Sequence, residues 1–289
     1  MKNPQFALIT PSYTPDFERC KLLAWSVQQF CQTPVTHYII VTRKDFPLFK
    51  QLQGPHTEVL IVESILPKWL IKLPFIKNGW LSLKTPPVRN WVVQQLVKIS
   101  IGQYISQDIM TFVDSDLTFI RPFSLQNFVQ DSQVRLFRVD VDQQRPVTPW
   151  EKSVAKLLDL PVQPTPFYVG GIVTWRRDNV LKMHRHIEEV SGQGFVETLC
   201  RSWELSEYMV YGTFVEFVLK ENSGHFWDDR PICKEYWDPV GLSDEDLATF
   251  FQEITAEHIA VMISAKANIP PHRYQALVEA IPAAAQYAG

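Results

Sequence analysis

The sequence has few cysteines, no apolar run long enough to cross a bilayer and no surplus of positive charge. Each deficit excludes something. The four cysteines, Cys20, Cys31, Cys200 and Cys233, form no CxxC pair and have no HxxxH partner, which argues against structural zinc. So few in 289 residues fits a reducing compartment. No run reaches the roughly 18 uncharged apolar residues of a spanning helix. The opening "MKNPQFALITPSY" has too short an apolar run for a secretory leader and no small-residue cleavage site. A soluble, cytoplasmic protein is expected. A formal net charge of −3 lacks the basic footprint of a nucleic-acid binder, so no nucleic-acid partner is expected. With 46% hydrophobic and 20% charged residues, a packed core is expected and disorder is not.

One deficit is local. Between residues 64 and 107 there is no Asp or Glu, while Lys68, Lys72, Lys77, Lys84, Arg89 and Lys98 alternate with Trp69, Trp80 and Trp91. Lysine and tryptophan suit a membrane-water boundary, with stems or rings in apolar surroundings and polar ends in water. Three readings stay open for this segment: a solvated loop over the sheet edge, a peripheral contact with anionic lipid, or a seat for a phosphate-bearing acceptor.

What is present reads as alternating strand and helix. "QFALITPSY", "THYIIVTRKD", "TEVLIVES" and "IMTFVDSD" are apolar, β-branched runs suited to a sheet buried on both faces. Between them, Cys20, Leu23, Ala24, Val27 and Phe30 share a helical face in a helix expected from Pro15, and "RNWVVQQLVKISIGQYI" has helical periodicity. This is the pattern of βαβ units and a mainly parallel sheet. Further on, "FYVGGIVTWRR" is a strand broken by Gly170 and Gly171, and "DNVLKMHRHIEEV" a helix with Asp178 as N-cap. "LSEYMVYGTFVEFVLK" and "DPVGLSDEDLATFFQEI" are helices, then come the strand "HIAVMIS" and a last helix near "PHRYQALVEAI". Without a repeat or linker, residues 1–289 are expected to form a single α/β domain, with a nucleotide-binding half to about residue 123 and an acceptor half from 124.

The chemistry centres on Asp114 and Asp116, separated by Ser115 at the end of an apolar strand. Positions i and i+2 of a strand share a side, so two carboxylates there repel unless a cation lies between them. Mg²⁺ and Mn²⁺ take oxygen ligands, commonly one or two carboxylates completed by phosphate and water. In open α/β sheets ligands bind beyond the carboxyl ends of strands. The alternative is an exposed turn with two solvated acids.

Four pieces occur in order: Trp91, Gln94, Gln95 and Lys98 on a helix; Asp114 and Asp116; Tyr168, Gly170 and Gly171; and Ser206, Glu207, Tyr208, Tyr211 and Gly212. Over about residues 5 to 220 the chain resembles GT-A glycosyltransferases, and more narrowly a bacterial family suspected of glycosyl transfer. The resemblance implies a GT-A, Rossmann-like single domain that binds a nucleotide-sugar donor, UDP-linked, and a hydroxyl acceptor on a glycan, lipid or small molecule. It implies that Thr10, Pro11, Ser12 and Tyr13 contact base or ribose, that Gln94, Gln95 and Lys98 face the diphosphate, and that Asp114, Ser115 and Asp116 hold the metal-nucleotide. It places Gly170 and Gly171 beside the sugar. It makes Glu207 the base that deprotonates the acceptor, with inversion, and Glu204 the fallback. It adds a late histidine to the metal shell, His258, with His225 as competitor; imidazole favours Mn²⁺ over Mg²⁺.

Each piece also has a plain structural reading: a surface stripe for Gln94 to Lys98, a helix cap for "TPSY", a β-bulge for the glycine pair, a favourable first-turn acid for Glu207. Retention of configuration stays open if Glu207 only positions the acceptor. The rivals are a Mg²⁺-dependent nucleotidyltransferase, although "TPSYTPDFERC" lacks the glycine-rich loop of that class, and a non-catalytic carbohydrate- or lipid-binding protein on a transferase scaffold.

Overall fold

A computed structural model of the chain describes residues 4–73, 76 and 78–286. Its strands, in chain order, are β1 (Phe6–Pro11), β2 (Val35–Val41), β3 (Thr57–Ile61), β4 (Leu70–Ile71), β5 (Gly79–Ser82), β6 (Val88–Arg89), β7 (Ile109–Val113), β8 (Leu117–Phe119), β9 (Val129–Gln130), β10 (Gln133–Phe137), β11 (Ile172–Arg176), β12 (His225–Asp228), β13 (Cys233–Tyr236) and β14 (Ala260–Ile263). The α-helices are α1 (Phe17–Phe30), α2 (Phe46–Phe49), α3 (Val62–Ile65), α4 (Asn90–Ser100), α5 (Pro149–Leu158), α6 (Arg177–Ser191), α7 (Phe195–Cys200), α8 (Glu207–Thr213), α9 (Asp244–Gln252) and α10 (Gln275–Gln286). The class is α/β with a mainly parallel central sheet and flanking helices, as the alternating pattern predicts.

The described residues fall into two compact units. The first takes the chain up to Gln5, then Ile61–Thr111 and Val129–Asp229; the second takes Phe6–Leu60, Phe112–Phe128 and the chain from Arg230. Strand β7 begins in the first and ends in the second.

In the second unit the sheet order is β7–β1–β2–β3, and β1 runs parallel to β2 with Phe6 opposite Val35. Every residue of β1 is buried, and all but Thr10 are apolar. Cys20 and Ala24 of α1 pack with Ile39, Val41 and Phe49. The helix begins at Phe17, not at the predicted Pro15, because Thr14–Asp16 winds first as a 3-10 turn. A second sheet sets β14 between β13, parallel, and β8, antiparallel, with Met262 opposite Leu117.

In the first unit β10 lies between antiparallel β9 and parallel β12, and β4–β5–β6 form a small antiparallel sheet. Strand β11 starts after the glycine pair, and its Thr174 hydroxyl lies 3.2 Å from that of Thr111 in β7. Helix α6 has Arg176 as N-cap; the predicted cap, Asp178, sits in the first turn and pairs with Arg176 at 3.2 Å and Lys182 at 3.5 Å. Those two cations hold the acid outside the capping position. His184 and His186 face apart, as their spacing predicts, bonding the Ile99 and Leu158 carbonyls at 3.0 Å each.

Candidate functional site

The site is built where β7 ends. Its five buried residues stop at Val113, Asp114 to Asp116 make a turn closed by Leu117 N–H donating to the Asp114 carbonyl (3.1 Å), and β8 begins at once. The end of β14 braces the turn from the other side. Ile263 N–H donates to the Asp116 carbonyl (3.3 Å), and Ala265 N–H donates to Asp116 Oδ2 (2.8 Å). The second carboxylate oxygen, Asp116 Oδ1, is buried and has no hydrogen-bond partner. Burial, and then the neighbouring charge of Asp114, push the Asp116 carboxyl up to about 6, against the Ala265 bond that holds it down.

Asp16 joins the two predicted aspartates. Its carboxyl is raised by burial first, opposed by Arg19 and raised again by Asp114, and Ser115 hydrogen-bonds to it. Arg19 donates to Asp16 Oδ1 (3.2 Å) and to the Ile269 carbonyl (3.0 Å). Tyr13 is exposed, yet partial burial and then the charges of Asp16 and Asp116, against that of Arg19, raise its hydroxyl. Tyr274 is buried nearby and pushed up to about 12, mainly by burial. Asp16, Arg19, Tyr274 and the Ala265 amide escaped the sequence reading. Only Asp16 and Arg19 left a trace there, as an acid and a base three residues apart directly after "TPSY".

A buried carboxylate oxygen without a hydrogen-bond partner, beside a second carboxylate, fits a divalent cation. Among the described residues no three His, Cys, Asp or Glu side chains are placed as a metal-binding group. A cation here would therefore complete its shell with phosphate and water, the habit of Mg²⁺ and of nucleotide-bound Mn²⁺.

The other predicted residues have these places. Thr10 is buried, its hydroxyl 2.9 Å from His37 Nε2. Pro11 ends β1, and Ser12 N–H donates to the Ile40 carbonyl (2.9 Å). The structure does not bring His258 to the carboxylates. It precedes β14, at the end away from Asp116, where its Nδ1 accepts from Thr255 N–H (2.9 Å) and its carbonyl accepts from Arg121 (2.6 Å). Chain order alone put it in the shell; the antiparallel β8–β14 register puts Ala265 there. His225 is buried in the first unit, donating from Nδ1 to the Val134 carbonyl and accepting from the Tyr211 hydroxyl, both at 2.8 Å.

The first unit gathers Gln95, Lys98 and Glu207. Lys98 Nζ lies 2.9 Å from Glu207 Oε1 and donates to the Tyr208 hydroxyl (2.9 Å), with both charged side chains 3% exposed. Gln95 Oε1 accepts from Glu207 N–H (3.1 Å), meeting one of the open donors at the start of α8. Gln94 and Glu204 are half-buried. Gly170 and Gly171 are buried, and a Cβ on Gly170 would stand 3.1 Å from the Phe137 ring. The "Y.GG" and "SEY..YG" pieces meet in packing: the Tyr168 ring lies so close to Gly212 that any Cβ there would overlap it.

Among curated proteins nothing matches the sequence. Among solved structures, the fold is similar to that of mouse xyloside xylosyltransferase 1 in its apo form, with a TM-score of 0.46 and 7% identity over 92% of this chain and 99% of that one. A family model matches residues 7–279, so the chain belongs to the DUF6492 family, a family of unknown function.

Proposed function

We propose that this chain is a metal-dependent glycosyltransferase of GT-A type that moves a sugar from a nucleotide-sugar donor, UDP-linked, to a hydroxyl acceptor. The observation that carries the metal part is the Asp116 carboxylate. One oxygen is fixed by Ala265 N–H, the other is buried without a hydrogen bond, and Asp114 lies beside it. The transfer part rests on the ordered motifs of the sequence. Asp114 and Asp116 would hold Mn²⁺ or Mg²⁺, and a cation bound there supplies Lewis-acid stabilisation to a departing diphosphate, worth several kcal/mol in such sites. Tyr13, exposed beside the carboxylates, has a ring free to meet the nucleoside. In the first unit, Lys98 is engaged by Glu207 and Tyr208. A base role for Glu207 therefore requires the Lys98 pair to open.

Thermal shift with UDP, GDP and CDP, each with and without Mn²⁺, tests the reading. Ligand at 100 times its Kd stabilises the native state by about 2.7 kcal/mol, an easily read shift. A UDP shift that needs Mn²⁺ and vanishes in Asp116→Ala is expected. A UDP shift indifferent to Mn²⁺, or intact in that variant, removes the metal site. In Glu207→Gln, the shift should persist while UDP release from a UDP-sugar panel is lost; wild-type release would end the base assignment.

A further inference from the structure

We infer that the acid-free segment of the first unit seats this chain on the surface of an anionic bilayer. This stands apart from the proposed transfer chemistry. The whole chain carries a net charge of −3, yet residues 64–107 hold cations and no acid. Lys77 lies outside the described residues, and Lys98 is buried against Glu207, which leaves Lys68, Lys72, Lys84 and Arg89.

The segment presents an aliphatic tip held rigidly in water. Leu83, in the loop between β5 and β6, is 68% exposed. Its N–H donates to the Trp69 carbonyl (3.1 Å), and Ser82 Oγ accepts from the N–H groups of Lys84 (3.2 Å) and Thr85 (2.8 Å). Arg201 clamps the same loop by donating to the Lys84 carbonyl (2.9 Å). Four backbone-anchoring hydrogen bonds thus place a leucine that is mostly open to water.

Cations and further apolar groups surround it. Lys68 is exposed, and the Lys84 ammonium stands 5.7 Å over the Trp69 ring. Glu197 is 3.6 Å from Lys84, but its side chain is only 19% exposed, so the outward charge stays positive. Gly79 pairs with Arg89, and a Cβ placed on it would stand 3.7 Å from the exposed Ile76. The Arg89 guanidinium lies 3.7 Å from the centre of the Trp203 ring, which is exposed. Aliphatic tips among lysines, with tryptophans alongside, match the headgroup boundary of a negatively charged membrane. A carbohydrate platform would need open tryptophan faces, whereas Arg89 lies over one face of Trp203, and the Trp91 and Trp150 rings stack with their centres 6.5 Å apart. No helix among the described residues is long and apolar enough to cross a membrane, so the contact is peripheral.

The test is co-sedimentation of the full chain with vesicles of phosphatidylcholine alone or mixed with phosphatidylglycerol, at low and high salt. Binding to the anionic vesicles, weakened by high salt, is expected. Lys68→Ala and Lys84→Ala should each reduce partitioning by about fivefold, the effect of one cation near such a surface. Leu83→Ser should reduce it with the salt dependence unchanged. Unaltered melting temperatures in the variants show that folding is intact. Equal binding to neutral and anionic vesicles, variants that bind like wild type, or retention on a polysaccharide without vesicle binding would each overturn the inference.

Discussion

At the scale of single residues, Asp116 is the most informative group. Its carboxyl is pushed up to about 6, by burial first and by Asp114 second. A carboxyl raised in the folded state stabilises while it is protonated, below its ordinary value of 3.8. That contribution disappears as pH climbs through 6, so at neutral pH the metal-free fold carries an unfavourable charge. Asp116→Asn keeps an oxygen for Ala265 N–H and removes the charge. We predict that it melts higher than wild type at pH 7.5 without metal, by a margin that narrows as pH falls below 6 and closes only near 3.8, and that Mn²⁺ raises the wild type only. Calorimetric melts across pH read this directly, and a lower melting point for Asp116→Asn at pH 7.5 would refute it. The aspartate pair was legible in the sequence because two charges ending an apolar strand contradict a core environment. The amide that orients one of them was not, because Ala265 is 149 residues away and a backbone donor has no residue type. The same limit hid Tyr274, whose place follows from packing alone.

At the scale of elements, the motif glycines and tyrosines turn out to be packing partners as well as motif letters. Gly212 lies in α8 with the Tyr168 ring against it, and the Tyr168 hydroxyl donates to Glu216 Oε2 (2.8 Å). Alanine within a helix is worth up to about 1 kcal/mol over glycine. Here the overlap should win, since overpacking a core typically costs about 1–3 kcal/mol. Gly212→Ala should therefore be destabilised by at least about 1 kcal/mol in urea melts, while Gly54→Ala, with nothing within 4 Å, should change little. A neutral or stabilised Gly212→Ala would show that Tyr168 can move away. Helix periodicity was readable: the helix expected within "DPVGLSDEDLATFFQEI" is α9, with Ser243 as its N-cap. Boundaries were less so. The Asp178 cap gave way to the Arg176 pair, and the helix predicted through "TFVEFVLK" continues past Thr213 as a π-helical turn. Asp178 instead pairs with cations two and four residues away, neighbours that a reading by capping residue alone passes over.

At the scale of the molecule, buried histidines govern acid stability, and three of them are shifted furthest. Burial pushes His37 and His184 down to about 4 and His225 to about 3. A histidine kept neutral by the fold contributes stability that is complete above its ordinary value of 6.5 and is lost as pH falls toward the depressed value. We predict a melting temperature that drops between pH 6.5 and 4, with unfolding taking up as many as three protons at the steepest point. A melting temperature level across that range would disprove it. The α/β class was legible because buried parallel strands need continuous apolar runs. The second sheet was not, since β8 and β13 are short, with 3 and 4 residues, and β8 meets β14 across half the chain. That pairing has a consequence for synthesis and turnover. The ribosome delivers both aspartates long before the strand that steadies them, so any nascent or clipped polypeptide ending ahead of Ala265 carries the pair without the amide that orients Asp116.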